Sequence, residues 1–104
     1  MTNPWRGEVA LTVDGVTYDA KLTLGALVEL EAELEEQSLV ALVERFETGR
    51  FSARDVVALL SAGLRAGGWA GTGRDLLAAE IAGGPMAATR AAGSLLSRAF
   101  ELPG

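Results

Sequence analysis

The side chains that most often carry out chemistry are missing from this sequence. It has no Cys and no His. Disulfides, thiolate nucleophiles and metal sites built on those residues are therefore excluded, as is the commonest general acid/base. Lys21 is its one lysine. The aspartates with informative neighbours are Asp14, Asp55 and Asp75, and each reads as structural. Asp14 precedes Gly15 in a turn. Asp55 and Asp75 close the sequences Ser52-Ala53-Arg54-Asp55 and Thr72-Gly73-Arg74-Asp75, which have the spacing of a helix capping box with Asp in place of Glu. Ser38 and Ser52 read as N-caps. No nucleophile stands beside a base, so the sequence predicts no enzyme, no catalytic residue, no cofactor and no metal site.

Two other features need weighing. Gly67-Gly68-Trp69-Ala70-Gly71-Thr72-Gly73-Arg74 is dense in glycine. A phosphate-cradling loop follows a strand and opens a helix. This stretch follows a helix and lacks Gly-Lys-Ser/Thr, so it reads as a flexible connection. Glu29, Glu31, Glu33, Glu35 and Glu36 crowd one helix. They read as a solvated face that opposes the helix dipole, with docking of a basic partner as the competing role.

The elements that position these residues follow from periodicity. Val9, Leu11 and Val13 alternate with polar or small residues, and the alternation resumes after Asp14-Gly15 as Val16, Tyr18, Ala20 and Leu22. Asp-Gly suits a type I′ turn, which pairs Val13 with Val16, Leu11 with Tyr18 and Val9 with Ala20. All the apolar residues then share one face. From Thr23 the period becomes helical. The first helix should turn Leu24, Leu27, Val28, Leu30 and Leu34 inward. A second, capped by Ser38, should bury Leu39, Val40, Leu42, Val43 and Phe46 and stop at Gly49. A third runs from Ser52 to Gly67-Gly68 with Val56, Val57, Leu59, Leu60 and Leu64. A short fourth runs from Thr72 through Leu76, Leu77 and Ile81. Gly83-Gly84-Pro85 breaks the chain before a last helix.

The predicted fold is α+β: an N-terminal β-hairpin followed by a bundle of four to five short α-helices. One domain spans residues 1–104, with the hairpin at 8–22, a helical body at 23–82 and a C-terminal helix at 85–101. The 104 residues are 49% hydrophobic and 6% aromatic, so the core must be mostly Leu, Val and Ala. Residues 1–50 carry four Lys/Arg against ten Asp/Glu, a net of −6, whereas residues 51–104 carry a net of +1. Their arginines are scattered, which argues against nucleic acid as a partner. No apolar run approaches the ~20 residues of a membrane span. The first residues lack the layout of a signal peptide. A cytoplasmic protein without a membrane partner is expected.

A non-catalytic domain of this kind binds other proteins. Trp5 and Trp69 sit in connections, where tryptophan serves as a core plug or an interface anchor. A hairpin edge can accept a strand from another chain. The last helix follows a Gly-Gly-Pro hinge and has a small-residue face of Ala87, Ala88, Ala91 and Ala92, so its docking could be adjustable.

Longer stretches carry a family resemblance. Arg6-Gly7-Glu8-Val9, Asp14-Gly15, Tyr18 and Leu22-Thr23-Leu24-Gly25-Ala26-Leu27-Val28-Glu29-Leu30-Glu31 resemble the start of small proteins encoded in the tail gene clusters of gene transfer agents and related phages. Phe51-Ser52-Ala53-Arg54-Asp55-Val56 and Gly63-Leu64-Arg65-Ala66-Gly67 are similar to that family too. The resemblance covers about residues 4–68. It implies a tail assembly chaperone without catalytic residues, whose partner is the tape measure protein or another tail protein. Such a client is expected to meet an apolar groove between helices near Trp69, Leu95, Leu96 and Phe100. The competing expectation is a structural tail or head–tail component that forms a homo-oligomer in the particle.

Overall fold

Asp14 and Gly15 both sit at positive φ, 50° and 82°, as a two-residue type I′ turn requires. They join β1 (Val9–Val13) to β2 (Val16–Ala20) in a two-stranded antiparallel sheet. The register pairs Val13 with Val16, Leu11 with Tyr18 and Val9 with Ala20, as the alternation predicts. The computed structural model describes residues 2, 7–34 and 38–100. Trp5, Glu35, Glu36 and Glu101 lie outside the described residues.

Five helices follow among the described residues: α1 (Leu24–Glu33), α2 (Leu39–Thr48), α3 (Ala53–Ala66), α4 (Gly73–Ala78) and α5 (Gly84–Ala99). Their starts obey the cap signals. The side chains of Thr23 and Ser38 accept from the backbone N–H groups of Ala26 and Ala41. Ser52 with Asp55, and Thr72 with Asp75, form complete capping boxes. Gly49 ends α2 in the left-handed conformation, where a Cβ is costly. Pro85 occupies the first turn of α5, which begins at Gly84 rather than Pro85.

α3 is the central element and packs on α1, α4, α5 and β2, while α5 also covers β1. Leu59, Leu60 and Leu64 of α3 are fully buried with Leu30, Leu42 and Leu95. Val9, Leu11, Val13 and Ala20 bring the hairpin into the same core. α5 is docked, with Ala88, Ala91, Ala92, Leu95 and Leu96 buried. Its small residues let it approach closely, and Leu95 packs where a side chain on Gly63 would stand. The glycine-rich connection is pinned: Trp69 N–H donates to the Leu64 carbonyl (2.9 Å), and Arg65 Nη1 donates to the Gly71 carbonyl (3.2 Å).

Four expectations need correction. α1 turns Ala26 and Leu30 inward and leaves Leu24 and Val28 82% and 71% exposed. Apolar residues surround much of this helix, and its orientation matches an ion pair between Glu29 and Arg65 of α3. Val40 on α2 and Val16 at the turn are exposed rather than inward. α4 ends at Ala78 with Leu77 on the surface, so Ile81 lies beyond it. Ile81 instead forms an isolated antiparallel bridge to Val13.

That bridge changes the reading of the hairpin edge. Asp14 N–H donates to the Glu80 carbonyl (2.8 Å), and Ala82 N–H donates to the Thr12 carbonyl (3.0 Å). Glu80 N–H donates to Asp14 Oδ1 (2.8 Å). The turn end of β1 is therefore occupied from within the chain. On the β2 side, Lys21 N–H donates to the Gly63 carbonyl (3.2 Å). Asp14 thus shapes the turn and anchors residues 80–82. Asp14→Ala is expected to cost about 1–2 kcal/mol, combining a lost hydrogen bond with a residue less tolerant of positive φ. Urea unfolding followed by tryptophan fluorescence measures it.

Candidate functional site

Two of the four residues expected near a client groove are buried in the core. Leu95 and Leu96 are 1% and 4% exposed and belong to the core. Trp69 is half-buried, packed on that core, and its ring lies over Gly71. Phe100 is 42% exposed at the end of α5. A partner could reach Leu95 and Leu96 only if α5 left its seat.

The structure opens a different groove, between the end of α1, the first half of α3 and the start of α4, of about 660 Å³. Leu34, Val57 and Ala58 give it an apolar lining, and Leu77 stands 73% exposed at its side. Arg54, Arg74 and Glu33 supply charge. The local reason lies in the two capping boxes. Both read Ser/Thr, small residue, Arg, Asp, and α3 and α4 pack so that both line one groove. In each box the Asp carboxylate accepts from the cap residue's own N–H, at 2.9 Å for Ser52 and for Thr72. Each Arg is exposed, and neither makes an ion pair or hydrogen bond among the described residues. The repeated Ser/Thr-x-Arg-Asp pattern was the sequence signal. That its two copies face one space is a long-range fact that spacing does not contain.

Asp55 has a second duty. Its carboxylate also holds Arg45 of α2 through two bonds, Nε to Oδ2 at 3.0 Å and Nη2 to Oδ1 at 2.9 Å. Burial alone would raise its pKa. The Arg45 hydrogen bonds, the Ser52 N–H, the Arg45 charge and the Ser52 hydroxyl together outweigh burial and hold the carboxyl below its ordinary value. Phe46 stacks on Phe51 just beside this link, ring centroids 4.4 Å apart. The α2–α3 corner is thus fastened by one aromatic pair and one bidentate ion pair.

A second hollow of about 710 Å³ lies between the hairpin turn and the start of α5. It is lined largely by residues 79–85, with Glu80 its single charged residue. Among the described residues no three acidic side chains converge as a metal-ligand set, and no helix is long and apolar enough to cross a membrane.

A family model described as phage tail tube protein, GTA-gp10, matches residues 6–102. The chain belongs to that family. The match extends through the last two helices, beyond the stretch of clearest resemblance in the sequence. This GTA-gp10 family is one of phage tail assembly and structural proteins, generally non-catalytic. The hairpin and five helices described above are therefore the architecture of a tail-related protein. No curated protein and no solved structure matches the chain.

Proposed function

We propose that the chain is a non-catalytic tail assembly chaperone of a phage-like gene transfer agent. It acts in the cytoplasm of the producing cell and holds the tape measure protein while the tail is built. The observation that carries this reading is the family match over residues 6–102. Two features support a holding role. Apolar side chains stand in solvent on several helices, including Leu24, Val28 and Leu77. The turn end of the β1 edge is occupied by residues 80–82, which favours contact through helices over strand exchange at that edge. Weak holding suits a client that must later be released.

Co-expression with the tape measure protein tests it. The client is expected to stay in the soluble fraction and be recovered with the tagged chain. An unchanged yield of soluble client, with nothing recovered, rejects the reading. Deleting residues 85–104 is unsuitable as a control, because α5 contributes Ala88, Ala91, Ala92, Leu95 and Leu96 to the core.

A second reading is favoured by the family description itself, which names a tail tube protein. A structural component oligomerises and remains in the particle, whereas a chaperone leaves. Mass spectrometry of purified particles separates them: fixed stoichiometry supports the component and absence supports the chaperone.

A further inference from the structure

We propose that the groove between α1, α3 and α4 docks an amphipathic helix of a partner protein that carries carboxylates along one flank. This deepens the client-holding reading above and rests on it for the existence of a partner. Three observations identify the occupant. First, the groove is open and part of its lining is apolar, from Leu34, Val57 and Ala58, with the exposed Leu77 beside them. An occupant therefore presents apolar side chains, at the i, i+3/i+4, i+7 spacing of groove-binding helices.

Second, the residues lining the groove come from three helices and their capping segments, and no strand contributes. An extended peptide would find no ladder of backbone partners there and would leave its own N–H and C=O groups unmatched. A helix satisfies those groups internally.

Third, the charge is specific. The chain has a net charge of −5, yet this groove holds Arg54 and Arg74, neither paired among the described residues. Of the neighbouring aspartates, Asp55 is paired with Arg45, and Asp75 keeps its charge on the Thr72 cap but does not line the groove. Exposed arginines opposite carboxylates give electrostatic complementarity, which sets partner choice and orientation. Glu33 on the α1 side disfavours acid there. The occupant's acidic flank therefore faces α3 and α4, and its other flank is neutral or basic. A second copy of this chain as occupant is distinguished by the self-association arm of the test below.

The test uses the full chain and two labelled model peptides, read by fluorescence anisotropy. Both are Leu/Ala helices of equal length, one with a Glu flank and one with a Lys flank. The Glu peptide is expected to bind at least tenfold more tightly than the Lys peptide, with the difference shrinking as salt rises. Arg54→Glu with Arg74→Glu should reverse the preference, and Leu77→Ser should weaken both peptides. These three residues are exposed, and a thermal melt confirms that the variants fold. Failure of both peptides to bind overturns the proposal, as does binding that the double charge reversal leaves unchanged. Self-association of the wild type that disappears in Arg54→Glu/Arg74→Glu also overturns it, because the groove then belongs to a second copy. Client pull-down separates this idea from the chaperone reading. If the double variant still retains the tape measure protein, the groove assignment falls and the chaperone reading stands. If the wild type selects the Glu peptide but retains no tape measure protein, the chaperone reading falls.

Discussion

Gly67→Ala is expected to lower the unfolding free energy by about 2–3 kcal/mol, the upper part of the range for overpacking a close contact. A Cβ at residue 67 would lie 2.3 Å from the Asp19 carbonyl oxygen and 2.9 Å from its carbon. Both are backbone atoms and cannot rotate aside. The strand that carries them is held by pairing with β1 and by the Lys21-to-Gly63 hydrogen bond. Relief therefore requires the end of α3 to lift from β2. Gly67 has φ −90°, which any residue adopts, so the cost is steric. Gly63→Ala provides the comparison. Its Cβ would meet Leu95 Cδ1 at 2.9 Å, but that methyl ends a flexible side chain, and a cost nearer 1 kcal/mol is expected. Urea unfolding of both variants, followed by tryptophan fluorescence, measures the difference. Equal losses would refute the distinction between the two contacts.

Asp55→Ala is expected to cost about 2–3 kcal/mol. It removes one arm of the α3 capping box, worth about 1 kcal/mol, and takes the bidentate Asp55 partner from the Arg45 guanidinium. Removing one partner of a fully buried pair costs about 3–5 kcal/mol. The Arg45 side chain keeps 23% of its exposure, so water recovers part of that. Asp55→Asn should cost less, since its amide oxygen can still accept from Ser52. The pH dependence has a definite sign. Despite burial, the Arg45 and Ser52 partners hold the Asp55 carboxyl below its ordinary value in the folded chain. Its charged form therefore stabilises the fold fully above the unfolded value, and the contribution falls away as pH drops through the folded value. The stability gap between wild type and Asp55→Asn should be widest at neutral pH and close in strong acid. Melts from pH 7 to pH 2 test this, and a gap that does not narrow would contradict it.

Local signals in the sequence translated well into structure. The Asp14-Gly15 turn and the two-residue alternation fix the hairpin register, because both act over neighbouring residues. The Ser52 and Thr72 boxes likewise specify where α3 and α4 begin. What the sequence left open depends on distant contacts. Leu24 and Val28 have the same helical spacing as Ala26 and Leu30, and packing against α3 with the Glu29–Arg65 pair separates the two faces. Ile81 continued an apolar pattern, but a bridge to Val13 takes it out of the helix. The Gly-Gly-Pro break suggested an adjustable last helix, whereas its alanines let it seat closely on the core. The candidate groove was legible only in halves, as two similar tetrapeptides whose meeting is tertiary.

The contact between Asp14 and Glu80 spans 66 residues, and that separation matters while the chain is being made. A hairpin closes in about 1–10 μs once its residues are available. Synthesis adds about 5–20 residues per second. The residues of that edge, Thr12 and Asp14, thus exist for roughly 3–13 s before residues 80–82 are made to cover them. Each time the marginal hairpin closes in that interval, its edge is open to neighbouring nascent chains. The segment Glu80–Ala82 is then a late guard, and the speed of translation sets how long the hairpin goes without it.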